Sequence, residues 1–207
     1  MDRSSLSCLR PVLKIEPEIV GQFIDACVDD HAEAKRLLNA NPGLRRATWL
    51  GGERIVSFLA IEHFPAGVRF CIQNGFDPNK TNCEFGTTPL HYACKLNYTE
   101  VALALLENGA NPNAQSEIDD NPLHCCIQNG NSEILELLIS HGADARYTTD
   151  LNETIFDRWP NDAEKQSAIV AVLDKHNIKR DDGKTMQLEI SRVTGGSHAL
   201  PNRDFAS

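Results

Sequence analysis

The chain has 207 residues, 41% of them apolar and only 6% aromatic, and carries a net charge of −9. That length allows a sizeable core in one or two domains, and the acidic balance argues against nucleic acid and against anionic membrane surfaces, since both are met by a basic face. No apolar run reaches the ~20 residues of a membrane helix, and seven scattered cysteines, an odd number, fit a reducing cytoplasm better than a disulfide framework.

Residues 1–21 mix acids, prolines and polar residues without a continuous hydrophobic region. They are expected to form a short irregular or helical extension and not a signal peptide. From Phe23, FIDACVDDHAEAKRLLNANPGL reads as a first, weak unit. RIVSFLAIEHFPAGVRFCIQNGFDPN, ending at Asn79, reads as a second. FGTTPLHYACKLNYTEVALALLENGANPNA then starts at Phe85, and IDDNPLHCCIQNGNSEILELLISHGADARY starts at Ile118, 33 residues later and without a gap. Pro89, Leu90 and His91 match Pro122, Leu123 and His124, and Gly109-Ala110 match Gly142-Ala143. A weaker copy begins at Asn152 and is interrupted by Pro160. After Ile178 the chain turns polar: QLEISRV alternates like a short strand, and the remainder reads as a tail. The expected organisation is an extension over 1–21, a repeat domain over 22–178 and a tail over 179–207.

Within each unit the residues have separable physical tasks. Thr88 and Asn121 suit the helix N-cap, where a side-chain oxygen accepts an otherwise unpaired N–H. Pro89 and Pro122 suit the first helical position, where a missing N–H loses nothing. Asn97 and Gly130 suit a turn with positive φ. Val101, Leu105 and Leu106 give a second helix one apolar face, and Gly109 and Gly142 suit its left-handed end.

The T-P-L-H-x-A run, followed by a second helix ending in L-L-x-x-G-A, resembles the ankyrin repeat, which has a period of ~33 residues. The resemblance covers roughly 22–178 and is closest in the two central units. Asp119, in place of the usual glycine, and Asn121, in place of threonine, depart from it. It implies an all-α ankyrin-repeat solenoid of about four to five helix-turn-helix units joined by β-hairpin loops. LLNANPGL and the segment from Trp49 to Asn79 are also similar to small stand-alone bacterial ankyrin proteins. That similarity implies roles such as neutralising a cognate toxin as an immunity protein, regulating an enzyme, or acting on host proteins as a secreted effector.

His91 with Cys94, and His124 with Cys125 and Cys126, invite a metal or nucleophile reading. Zinc requires four ligands at ~2.0–2.3 Å, whereas equivalent positions on stacked helices lie ~8–10 Å apart. Cys94 and Cys126 fall in the small-residue stretch that packs between helices, and a nucleophile needs an accessible thiol beside a base. A histidine that bonds its own turn accounts for both clusters. No phosphate-binding glycine loop, nucleophile elbow or H-E-x-x-H motif is present. No catalytic residue, metal or cofactor is therefore expected. An enzyme with chemistry in an atypical end unit is the alternative, with Asp157, Arg158, His176 and His198 as its polar residues.

The resemblance places partner contacts at the loop tips and the open side of each first helix. These positions are Trp49, Leu50, Glu53 and Glu62 in the second unit, and Asn82, Glu84, Phe85, Thr87, Lys95 and Leu96 in the third. In the fourth they are Gln115, Glu117, Ile118, Asp120, Gln128 and Asn129, followed by Thr148, Asp150, Leu151 and Glu153 at the next tip. Apolar residues (Trp49, Phe85, Leu96, Ile118, Leu151) amid acids suggest a face for another protein, basic in charge. Phe85 and Trp49 are the expected anchors, and a monomer is expected in the absence of the partner.

Overall fold

The computed structural model describes residues 15–81, 85–117, 121–147, 154–157 and 159–179, with the Leu50 side chain left out. The expected strand at QLEISRV lies outside the described residues. Among the described residues nine α-helices follow in order: α1 (Pro17–Asp29), α2 (His31–Ala40), α3 (Ile55–Ile61), α4 (Pro65–Gln73), α5 (Pro89–Leu96), α6 (Thr99–Glu107), α7 (Pro122–Asn129), α8 (Ser132–Ser140) and α9 (Ala163–Lys175). Pro17 opens α1, so the first helix starts ahead of residue 22. Among the described residues there is no strand, and an isolated antiparallel bridge joins Thr48 and Arg54. The all-α repeat solenoid is thus the fold.

The repeat is visible in the packing. First helices stack in the order α3, α5, α7, and second helices in the order α4, α6, α8, with α1 against α4 and α9 against α8. Equivalent positions Val68, Ala102 and Leu135, and Cys71, Leu105 and Leu138, are all buried along the second-helix row. Leu59, Ala93 and Ile127 are fully buried in or beside the first-helix row. Each unit buries its apolar face only against its neighbours, as expected of a solenoid.

The helix ends repeat as well. Asn41, Asn74 and Asn108 each follow a second helix and donate through Nδ2 to Leu37 O, Phe70 O and Ala104 O. His141 takes the same place on α8, with Nδ1 2.8 Å from Leu137 O. Each side chain satisfies a carbonyl that the ending helix leaves unpaired. Asn41 thus puts the weak first unit in register with the others.

A second set of asparagines ties unit to unit. Asn79 Nδ2 donates to Gly109 O (3.0 Å), and its Oδ1 accepts from Asn111 N (2.6 Å). Asn113 does the same one unit on, to Gly142 O (2.9 Å) and from Asp144 N (2.7 Å). Arg146 holds the next equivalent position and brings no carboxamide, and beyond it the described residues hold one helix, α9.

Gly130 ends α7 in the left-handed region with φ 74°. A Cβ there would lie 2.6 Å from Lys165 Cδ of α9. Gly130→Ala therefore combines backbone strain of about 1–2 kcal/mol with displacement of Lys165. Denaturant unfolding should show a loss of at least that size, and adding Lys165→Ala should recover only the steric part.

Candidate protein-binding face

The first turns of α5 and α7 explain the His/Cys clusters. Thr88 N donates to His91 Nδ1 (3.2 Å), and Thr88 Oγ1 lies 2.8 Å from the same nitrogen. Nδ1 is thus an acceptor, and the proton sits on Nε2. At α7 the capping residue is Asn121, whose Oδ1 accepts from His124 N (3.0 Å) and lies 2.8 Å from His124 Nδ1. An oxygen that accepts requires the proton on Nδ1, so exchanging threonine for asparagine at the cap reverses the histidine tautomer. Both rings are fully buried, and both serve the turn.

The thiols are equally structural. Cys94 and Cys126 are fully buried, and Cys125 is buried as well. Burial pushes the Cys94 and Cys126 thiols well above the ordinary range, away from the thiolate a nucleophile needs. Cys126 Sγ donates to Asn131 O at 2.9 Å. Among the described residues no group of three or more His, Cys, Asp or Glu is placed to hold a metal ion.

The polar residues near the C-terminal end also have local partners. Asp157 Oδ2 accepts from Thr154 N and Oγ1, at 2.8 and 2.7 Å. His176 Nε2 donates to Glu136 Oε1 on α8 (2.8 Å), as does Lys175 Nζ (2.9 Å). These contacts hold α9 on the last regular unit. Arg158 and His198 lie outside the described residues.

Most of the described candidates are exposed. Phe85, at 37% exposure, and Leu96, at 41%, are the exposed large hydrophobics among the described residues. Lys95, Glu62, Gln115, Glu117 and Gln128 are exposed with them. Phe85 and Glu117 are joined through the backbone, Glu117 N donating to Phe85 O at 3.0 Å. An exposed aromatic and a carboxylate therefore share one loop junction.

Some candidates are placed differently. Thr87 was expected on this face but is only 2% exposed, enclosed just ahead of the N-terminus of α5. Trp49 is also corrected: it is half-buried, meets Phe58 edge-on at 6.4 Å and lies over Gly21 of α1, where an added Cβ would be 3.0 Å from its ring. Asn129 is a link between units, its Nδ2 donating to Cys94 O (3.1 Å) and Lys95 O (2.8 Å). Glu53 is half-buried and accepts from Tyr92 Oη at 2.9 Å. Leu50 (side chain), Asn82, Glu84, Ile118, Asp119, Asp120, Thr148, Asp150, Leu151 and Glu153 lie outside the described residues.

Tyr92 escaped the sequence reading. It precedes Lys95 and Leu96 by three and four residues, the spacing that puts side chains on one helical face. That spacing was the available signal.

Stacked helix pairs with an extended open face define a helical-repeat binding scaffold. Residues 23–116 and 58–149 match the family described as Ankyrin repeats (3 copies). The match spans more than half of the chain, which belongs to the ankyrin-repeat family, and such repeats are protein–protein interaction modules. The chain is similar to BCL-6 corepressor-like protein 1 of Homo sapiens, 32% identical over 138 residues that make up 65% of this chain and 7% of that protein. It is similar to Protein fem-1 homolog C of Danio rerio, 36% identical over 89 residues, 42% of this chain and 14% of that protein. It is also similar to Rabankyrin-5 of Mus musculus, 42% identical over 83 residues, 35% of this chain and 7% of that protein. The chain thus spans a small part of the length of these relatives. No helix among the described residues is long and apolar enough to cross a membrane.

The α8–α9 contact yields a pH dependence. Bonds from His176 and Lys175 hold the Glu136 carboxyl below its ordinary value of 4.5. A depressed folded value adds stability that is present above 4.5 and lost as the pH falls through the lower folded value. Glu136→Gln should lower the melting temperature at neutral pH. The gap from the unsubstituted protein should close on titration to about pH 3, as followed by thermal unfolding.

Proposed function

We propose that this chain is a non-catalytic binding module that holds a basic partner protein on the open face of α3, α5 and α7. The observation that carries the reading is the pairing of Phe85 and Leu96 within one unit. Both are large, apolar and exposed, and both occupy positions at which repeats of this family meet partners. Lys95 lies beside Leu96. Glu62 and Glu117 are exposed at neighbouring units, and the chain as a whole is acidic at −9.

The two kinds of residue have different tasks. Burying an apolar side chain of this size contributes about 1.5–3 kcal/mol, so Phe85 and Leu96 supply affinity. Exposed carboxylates act mainly on encounter rate and partner choice. A basic protein seated on this face would have its own surface covered, so inhibition of that partner is the outcome we favour.

Phe85→Ala with Leu96→Ala tests the apolar part. Stoichiometric capture of a partner from the source cell, followed by calorimetry with that partner, should show affinity falling about tenfold or more. The melting temperature should stay close to that of the unsubstituted chain, because both side chains are exposed. Glu62→Lys with Glu117→Lys should chiefly slow association, and the slowing should shrink as salt is added. Unchanged capture by both double variants would sink the reading, as would an acidic partner.

A further inference from the structure

Cys27 and Cys71 are not used by any binding reading. Both are fully buried, and their Sγ atoms lie 3.6 Å apart, 44 residues distant in sequence. Cys27 is on α1, the first helix among the described residues, and Cys71 is on α4. The approach of these helices is close for a specific reason. Gly67 precedes Cys71 by one turn on the same face of α4, and a Cβ on it would lie 3.1 Å from Cys27 O. The equivalent positions in the next units are Val101 and Ile134. A side chain of that size at 67 would push α1 outward and part the two sulfurs.

We propose that Cys27 and Cys71 are a redox modification site, forming an intramolecular disulfide that staples the first helical unit to the second when the protein meets a peroxide. In the closed state the bond from Cys27, together with burial, holds the Cys71 thiol well above its ordinary value, so both sulfurs stay reduced and shielded. A helix packed on few neighbours opens locally more readily than one packed on both sides, and among the described helices α1 packs chiefly on α2 and α4. When α1 opens, one exposed sulfur is oxidised by hydrogen peroxide to a sulfenic acid, and one water is released. Reclosing returns the second thiol to contact. It attacks the sulfenic sulfur, the S–S bond forms, and the oxygen leaves with the thiol proton as a second water. The peroxide is the oxidant, and two thiols lose two hydrogens in total.

The staple bears on the binding face. Gly21 of α1 packs under the Trp49 ring, and Trp49 belongs to the turn closed by its N–H donating to Glu53 O at 2.7 Å. Holding α1 down therefore holds this loop tip in place. This consequence rests on the proposed binding function; the disulfide does not.

The test uses the full chain without substitution. It is exposed to a modest excess of hydrogen peroxide, unreacted thiols are blocked with a maleimide under denaturing conditions, and the products are mapped by peptide mass. The expected product has Cys27 joined to Cys71, with Cys94, Cys125 and Cys126 blocked by maleimide; Cys8 and Cys83, which lie outside the described residues, are mapped alongside them. Amide exchange in α1 should slow about tenfold or more, and a reductant should reverse this. Cys27→Ala and Cys71→Ala, each checked for native helicity, should abolish the slowing, whereas Cys125→Ala should not. Sulfinic acid at Cys27 or Cys71 without a cross-link, a bond from either to any other cysteine, or a dimer cross-linked through either would overturn the proposal. Each of these outcomes is read on the free chain, so it is independent of whether a partner binds.

Discussion

The constraint on which everything else depends is that no unit of this chain can bury its apolar face alone. α5 and α6 meet each other and still leave one side for the units before and after. The buried row Val68, Ala102 and Leu135, with Cys71, Leu105 and Leu138 beside it, therefore exists only as a product of stacking. Stability in such an array is close to a sum of unit and neighbour terms. Polar side chains that connect neighbours then matter as much as the apolar seam. Asn79 and Asn113 each satisfy a carbonyl and an amide of the next loop, so the spacing of the loops is held by hydrogen bonds while the helices are held by burial.

The first and last helices among the described residues are held in different ways. At the start, Gly67 lets α1 come close to α4, and His31 of α2 stacks on Phe70 at 4.6 Å. At the finish, α9 lies on α8 through buried Ile169, Val170 and Leu173, with Lys165 over Gly130 and Glu136 joined to Lys175 and His176. The N-terminal contact is apolar and tight, whereas the C-terminal contact has a charged margin. Acid acts on the second through Glu136, and oxidation acts on the first through the thiols.

The central units were legible because their motif residues do local work that any copy must repeat. Caps, turn residues and the proline at the first helical position depend on neighbours within a few residues, and the structure places Asn121, Asn97 and Gly130 as those rules require. What was not legible depends on contacts between units. Trp49 looked like an exposed anchor because its ring position depends on Gly21, 28 residues earlier, and nothing near Trp49 signals that partner. Thr87 carried the same kind of error. Gly67 sits inside a helix, where glycine reads only as a propensity loss, and its value shows only once α1 is seen against it. The asparagines at 41, 74 and 108 recur at the repeat spacing, but their task, a bond back to the carbonyl four residues earlier, shows only in the folded helix ends.

Phe85 and Leu96 are exposed for the same reason that their neighbours are not. Stacking consumes the sides of α5 that face α3, α6 and α7, and Asn129 occupies the carbonyls at its end. The side that remains cannot be covered by any further unit, because the array grows along its axis and not across it. Large apolar side chains there gain nothing from the fold. Scattered exposed hydrophobics are ordinary, but here both examples among the described residues fall in one unit, near the middle of the stack. A position that folding leaves uncovered, filled by residues that water disfavours, is the physical ground for the proposed binding face.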